Sequence, residues 1–508
     1  MSDSNIPALP KSKILSNDSV EFEGSPTLIP KHPSGIRPLG NQFLSRINVK
    51  IFAGFFRKFP EVLLVTLLES FNPITLLKLG STCKYLHAFC RLDSLWRTLY
   101  MRGHDLRIRH ESSRVLSGRD KSQSSNETNS LWLGTWRSKY LGLKDEVESR
   151  IDCNYVFSDI LYRPFLCSQL PLQAYASNIP EANSIPRLKE ISLTDYSDTW
   201  GYKPFILTNQ MQDWPVYKSW DNEFLLKQYH HVKFRAEGLK WRLDEYFEYM
   251  KNNCDESPLY LFDKDFFEKM GLNSGESKSS SSYWSPECFE EDLFAVFGDQ
   301  RPDFRWLIVG PERSGSTFHK DPNATCAWNA VIRGSKYWIM FPTTNSRPSP
   351  PGVYVSKDES EVTSPLSIAE WLLDFHVEAR GTPGCIEGIC REGEILHVPS
   401  GWWHLVVNLE TTTAITQNFV PRIHLESVIR FLEHKSDQVS GFKKDLKSPF
   451  RTFTDKMFAL YPDLMHRALN NSRESLFKKR KLVSEFDDQN KAGGFTFSFY
   501  GDNEEEIL

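Results

Sequence analysis

Apolar residues change their spacing twice along this chain. From Phe59 to Arg102 they recur every three or four positions, in FPEVLLVTLLESFNPITLLKLGSTCKYLHAFCRLDSLWRTLYMR. That is the period of amphipathic helices. Asn72-Pro73 interrupts the run, and proline suits the first turn of a new helix. The pattern predicts three short helices that bury Leu63, Leu64, Leu67, Leu68, Leu76, Leu77, Leu79, Leu86, Leu95 and Trp96.

Farther along, short β-prone runs take over: Lys203–Leu207, Leu259–Phe262, Phe304–Gly310, Ala327–Ile332, Lys336–Phe341 and Glu394–Pro399. Two of them flank Arg333-Gly334-Ser335, which reads as a hairpin. Helical spacing is interleaved at Leu243–Lys251 and Ile368–His376, and returns after Pro421 at Leu425–His434 and Lys456–Tyr461. Strands interleaved with helices predict an α+β fold.

Chemistry concentrates in STFHKDPNATCAWNAVIRGSKYWIMF, residues 316–341. His319 and Asp321 are two apart, so on a strand both side chains leave one face. His404 lies on a second strand-like run, VPSGWWHLVVNLETTTAITQN. Two histidines and a carboxylate with open positions form the facial triad of non-haem iron oxygenases. A lone His-x-Asp arises by chance. The combination with Lys336, seventeen residues after His319, and a Pro-x-Gly-Trp-Trp-His strand does not follow from core packing. A buried Lys336 is suited to holding the distal carboxylate of an organic acid. His404, Val406 and Asn408 share a face of one strand, and Ala414, Thr416 and Asn418 share a face of the next.

HKDPNATCAWNAVIRGSKYWIMFP, followed by VPSGWWH and AITQNF, resembles the Jumonji-C (JmjC) domain, in the branch around the phosphatidylserine-receptor-like lysyl hydroxylase. The resemblance covers residues 185–425. It implies a double-stranded β-helix (cupin or jelly-roll) barrel with flanking helices, and Fe(II) at His319, Asp321 and His404. It implies 2-oxoglutarate as co-substrate at Lys336 and Thr416, with O2 as oxidant. Asn329 matches a polar residue near that co-substrate and Tyr260 a pocket tyrosine. Ser316 stands where the branch often has threonine. The activity implied is oxidation of a protein side chain, as lysyl hydroxylation or as demethylation of a histone or other nuclear protein.

The Phe59-Pro60-Glu61, Leu-x-x-Leu, Cys83-Lys84 and Leu95-Trp96 order resembles an F-box. It implies that 59–102 docks the Skp-type adaptor of a cullin-RING ubiquitin ligase. This opens a second reading, a substrate-recruiting adaptor whose barrel only binds a client.

The expected organisation is 1–50 mostly disordered, 55–105 F-box, 106–184 linker and bridging helices, 185–425 barrel, 426–470 C-terminal helices and 471–508 polar tail. Composition adds constraints. The 508 residues are 40% hydrophobic and 13% aromatic, enough for sizeable cores, and the net charge of −4 argues against a general nucleic-acid-binding surface. Nine cysteines lack paired spacing, which fits a reducing compartment. Cys385 and Cys390 with His397 lack a fourth zinc donor, so His397 is read as structural. No apolar run is long enough for a membrane span. Lys478–Lys481 is a basic run of the kind that directs import to the nucleus, and a nuclear chain, shared with the cytoplasm, is the expectation.

Overall fold

We describe a computed structural model of the chain over residues 29–103, 132–143, 151–274, 278–289, 291–344 and 349–470. Residues 1–28, the parts 104–131 and 144–150 of the region before the barrel, and the polar tail 471–508 with its basic run at 478–481 lie outside them. Contacts divide the chain into two compact units. The first holds Met1–Phe289, Phe304–Asp321 and Cys326–Asn418; the second holds Glu290–Asp303, Pro322–Thr325 and Phe419–Leu508. The interval expected to form the barrel therefore contributes segments to both units, and the helical segment from Phe59 falls in the first.

The strands of the first unit are β1 (Arg187–Leu188), β2 (Phe205–Leu207), β3 (Lys233–Ala236), β4 (Leu239–Arg242), β5 (Leu261–Asp263), β6 (Arg305–Gly310), β7 (Gly315–His319), β8 (Cys326–Arg333), β9 (Ser335–Phe341), β10 (Tyr354–Val355), β11 (Val362–Thr363), β12 (Ile386–Arg391), β13 (Ile395–Val398), β14 (Trp403–Asn408) and β15 (Thr412–Phe419). A nine-stranded sheet runs β1-β2-β13-β8-β15-β6-β5-β3-β4, and a four-stranded sheet runs β12-β9-β14-β7. This is the double-stranded β-helix.

The topology corrects one expectation. β8 and β9 follow each other through Gly334 but do not pair. β8 pairs with β13 in the large sheet, while β9 pairs with β12 and β14 in the small one. Gly334 has φ +83°, and a Cβ there would collide with the backbone of Thr411. The turn is thus a sheet-to-sheet corner, and β14 to β15 makes the same switch. Local sequence signals a turn; which sheet receives the next strand depends on distant partners.

Alternation along the strands separates two faces of the small sheet. Trp338, Met340 and Val406 point inward, against Ala327, Val331, Leu396 and Val398 of the large sheet. Tyr337, Ile339, Phe341, Leu405 and Val407 point outward, under the helix Ile368–Gly381 with its buried Trp371 and Leu372. Each such side chain contributes roughly 1.5–3 kcal/mol on burial, so the register of both sheets is strongly specified.

The N-terminal helices are Glu61–Glu69, Pro73–Gly80 and Lys84–Cys90, with helical residues continuing at 93–103. Asn72 caps the second by accepting from Thr75 N–H. Leu64, Leu68, Leu76, Leu86, Leu95 and Trp96 are buried as expected. Leu67 and Leu79 are only half-buried, and Leu63 and Leu77 are exposed, as are Val62 and Ile74. Of residues 1–50, expected to be mostly disordered, 29–50 are described, and there Ile29 and Ile36 are buried and Arg37 bridges to Phe157. Trp136 ties the helices to the barrel. Its backbone N–H donates to Asp93, and its indole N–H donates to Asp255.

In the second unit, Leu293, Phe294 and Phe297 form one core with Leu425, Val428, Ile429 and Leu432 of the helix Leu425–His434 and Phe453 and Met457 of the helix Pro449–Leu460. Among the described residues no helix is long and apolar enough to cross a membrane.

Candidate metal and co-substrate site

His404 on β14 lies directly opposite His319 on β7. The next registered pair is Val406 with Ser316, so β7 carries an extra residue there. Such a bulge lets two residues three apart face the same side. Gly315 permits the close approach, because a Cβ would strike the Val406 carbonyl. His319 thereby faces the barrel interior beside His404, with ring centroids 4.1 Å apart.

The donor atoms of His319, Asp321 and His404 all lie within 4.8 Å of one another. Each imidazole is oriented from behind. His319 Nδ1 bonds the Thr317 carbonyl at 2.8 Å, and His404 Nδ1 bonds the Trp402 carbonyl at 3.2 Å. That fixes the tautomer and leaves Nε2 for a cation. Asp321 has a hydrogen bond with Asn418, yet its Oδ2 is buried without a partner. Burial pushes the Asp321 carboxyl up and the His404 imidazole well below its ordinary range. Neutral nitrogens and an orphaned carboxylate oxygen are what a divalent ion requires, so these residues fit one.

Lys336 opens β9 on the same interior face and is fully buried. Its Nζ donates to the Tyr260 hydroxyl at 2.6 Å and to Asn408 Oδ1 at 3.0 Å, both neutral oxygens. Burial lowers its pKa from 10.5 to about 7. A lysine without a facing carboxylate is suited to an incoming one. Tyr260 falls just before β5 and not inside the strand, where the run Leu259–Phe262 placed it. The Tyr246 hydroxyl clamps its neighbours, accepting from Leu261 N–H and lying 2.8 Å from the Leu259 carbonyl. Gly310 leaves room for the Tyr260 ring, which a Cβ would meet at 2.7 Å.

The remaining expected residues behave differently from one another. Thr416 is buried on the inward face of β15, between Ala414, which packs on Tyr260, and Asn418, which bonds Asp321. Its hydroxyl donates to the Trp328 carbonyl. Asn329 is buried and its Oδ1 has no partner. Ser316 lines a cleft beside His319. His397 is packed among Tyr196, Phe205 and Phe289. Cys385 and Cys390 fall in separate core clusters, and the triad is the sole metal-type grouping among the described residues. Sequence reasoning gave Asn408 and Asn418 no role. Their signal was a polar residue at period two in apolar strands, on the face that carries His404 and Thr416.

The fold and the site together define a cupin-type metal centre with an anionic co-substrate pocket. The cupin-like domain family matches residues 200–424 and the F-box-like family residues 56–102. The arginine-specific demethylase JMJ22 of Arabidopsis thaliana is 33% identical over 485 residues, covering 92% of this chain and 89% of the relative. The bifunctional arginine demethylase and lysyl-hydroxylase psr-1 of Caenorhabditis briggsae is 34% identical, covering 48% and 64%. The 2-oxoglutarate and iron-dependent oxygenase JMJD4 of Gallus gallus is 28% identical, covering 40% and 46%. The chain belongs to the JmjC family of cupin-like oxygenases and carries an F-box-like domain. It is an oxygenase whose cofactors are iron and 2-oxoglutarate.

Proposed function

We propose that the chain oxidises a side chain of a protein substrate, with arginine demethylation or lysyl hydroxylation as the outcome. The observation that carries this is the convergence of three metal donors beside a buried lysine that faces no carboxylate. The named activities of JMJ22 and psr-1 favour the two outcomes.

His319, Asp321 and His404 would hold the iron, leaving positions for co-substrate and O2. Iron with 2-oxoglutarate supplies oxidation of a C–H bond coupled to loss of CO2. The residues of the chain bind and orient. Lys336, kept in place by Tyr260 and Asn408, takes the distal carboxylate, and Thr416 and Asn329 line the same interior face. The inner apolar layer of Trp338, Met340 and Val406 keeps water from the reacting centre. Demethylation and hydroxylation differ in which substrate carbon reaches that centre, so the residues at the entrance decide between them.

The decisive experiment incubates the purified chain with Fe(II), 2-oxoglutarate, O2 and histone peptides. Succinate release with a peptide that gains oxygen means hydroxylation; loss of a methyl carbon means demethylation. Neither, with wild-type protein, would overturn the reading.

The helical domain supports a ligase link. Val62, Leu63 and Ile74 are 66%, 55% and 64% exposed, an apolar face suited to a Skp-type adaptor. Co-purification with that adaptor, lost on Leu63→Glu, tests it. A client retained after His319→Ala, with no succinate formed by wild type, would favour the pure adaptor. Nuclear residence is proposed from the basic run at Lys478–Lys481 and is tested by neutralising that run in a fluorescent fusion.

A further inference from the structure

We propose that the cleft beside His319 receives a cationic protein side chain, an ammonium or a guanidinium, and that Glu237 is the residue that selects it. The proposal rests on the oxygenase reading above.

The cleft has a volume of about 400 Å³ and is lined by Glu237, Ser257, Arg313, Ser316, His319 and Leu366 among others. It is within the range of small-molecule and side-chain pockets, and one wall is a metal ligand. A side chain that enters it comes to lie beside His319.

Glu237 forms the turn between β3 and β4 with Gly238, at φ +52°. Such two-residue turns favour Asn, Asp or Gly, so a longer carboxylate there is not chosen for the turn. Arg313, also on the cleft, has φ +72°. Non-glycine residues in this region are strained and gather at functional sites.

The carboxylate is held on two sides. Arg97 donates to Oε2 at 2.7 Å, and the Tyr260 N–H donates to it as well. Tyr260 in turn contacts Lys336 through its hydroxyl, so Glu237 is one residue removed from the co-substrate lysine. A carboxylate accepts about four hydrogen bonds, which leaves capacity for a substrate donor, and the side chain is 41% exposed. Arg97 also faces Asp255, which faces Arg313 in turn, so the cationic groups at this wall are already paired with carboxylates. Leu366 and Ile368 on the cleft wall offer apolar surface to a methylene stem.

Arg97 lies in the helical residues 93–103 of the F-box-like domain. Its second amino group donates to the Ser257 carbonyl at 2.8 Å, so it clamps two points of the cleft wall. It is a positioning residue, and it ties the F-box-like helix to the cleft wall.

The test measures peptide binding by fluorescence anisotropy on the full chain with Mn(II) and 2-oxoglutarate. The peptides share one sequence and carry Arg, Lys or the uncharged Gln at the central position. Wild type is expected to bind a cationic peptide roughly tenfold tighter than the neutral one, the size of one charge-assisted hydrogen bond. Preference for Arg identifies a guanidinium and preference for Lys an ammonium; both support the proposal. Glu237→Gln should bring the ratio within about twofold, whereas Glu237→Asp should keep a preference. Arg97→Met should lower the ratio and Arg97→Lys restore part of it. If Glu237→Gln keeps the full preference, or wild type has none, the proposal is overturned. Should Glu237→Gln not fold, the wild-type ratio and Glu237→Asp decide. Calorimetric binding of 2-oxoglutarate by wild type separates the two failures. No binding sinks the oxygenase reading, whereas binding without a cation preference sinks this proposal alone.

Discussion

Lys336 and Tyr337 are consecutive on β9 and point to opposite faces of the small sheet. Each anchors a buried polar cluster, and the two clusters are built on opposite principles. Outside, the Tyr337 hydroxyl donates to Glu387 and lies 2.9 Å from His376 Nε2. Arg380 closes the set on Glu387, with contacts of 2.7 and 2.8 Å to its two oxygens. Inside, Lys336 meets only neutral oxygens, Asp321 Oδ2 and Asn329 Oδ1 have no partner, and two imidazoles face each other. Buried polar groups are ordinarily satisfied, and exceptions need a reason. The outer cluster is complete and holds the helix Ile368–Gly381 on the sheet. The inner one is incomplete because its partners arrive from solution.

The largest effect comes from the inner triad. His319→Ala should lower metal content and succinate production by at least about 10²-fold, measured by elemental analysis and turnover, while the melting temperature of the metal-free protein holds. A large loss of metal-free stability would mean that His319 supports the fold and would erase the contrast.

Glu387→Ala should do the reverse. Removing one partner of a buried ion pair costs about 3–5 kcal/mol, because Arg380, Tyr337 and His376 lose their shared acceptor. Chemical denaturation reads this directly. Metal bound per folded molecule should not change; if it falls together with stability, the two faces are coupled and the division fails.

Lys336→Met should weaken 2-oxoglutarate by about 2–3 kcal/mol, some 30- to 150-fold, without destabilising the metal-free protein. The pH dependence sharpens this. Lys336 titrates near 7 in the folded chain and at 10.5 unfolded, so the unfolded state binds more protons between these values. Metal-free stability from this residue should therefore rise with pH from about 7 towards 10, and vanish as a trend in Lys336→Met. Affinity for 2-oxoglutarate needs the charged amine and should fall over the same window. His376, lowered from 6.5 to about 4 by burial, has the same sign in a different window: its contribution is lost as pH falls from 6.5 to about 4.

Much of the inner face was legible in the sequence. Lys336, His404 and Thr416 lie in strand-like runs whose period of two marks the inward faces, but Asp321 falls beyond the end of β7, so strand period does not account for its place beside His319. The outer cluster was not legible. Glu387, Arg380 and His376 join Tyr337 from 39 to 50 residues away, and each is an ordinary polar residue in its own element. The bulge in β7 was hidden for the same reason, since the extra residue exists only relative to β14. The hairpin reading at Gly334 failed because a local turn signal does not say which sheet comes next. Glu237 and Arg97, 140 positions apart, meet only in the folded chain.

The smallest test concerns Asn329. Its Oδ1 is buried with no acceptor role filled, so the folded protein carries the desolvation of an amide oxygen it does not use. Asn329→Leu keeps much of the volume and removes that cost, and metal-free stability should hold or rise by about 1 kcal/mol. Affinity for 2-oxoglutarate should fall roughly fivefold, as for one neutral hydrogen bond. The two readings move in opposite directions only if the amide waits for a ligand. If Asn329→Leu loses stability and leaves affinity intact, the amide belongs to the scaffold, and the inner face is more complete than its unpaired atoms imply.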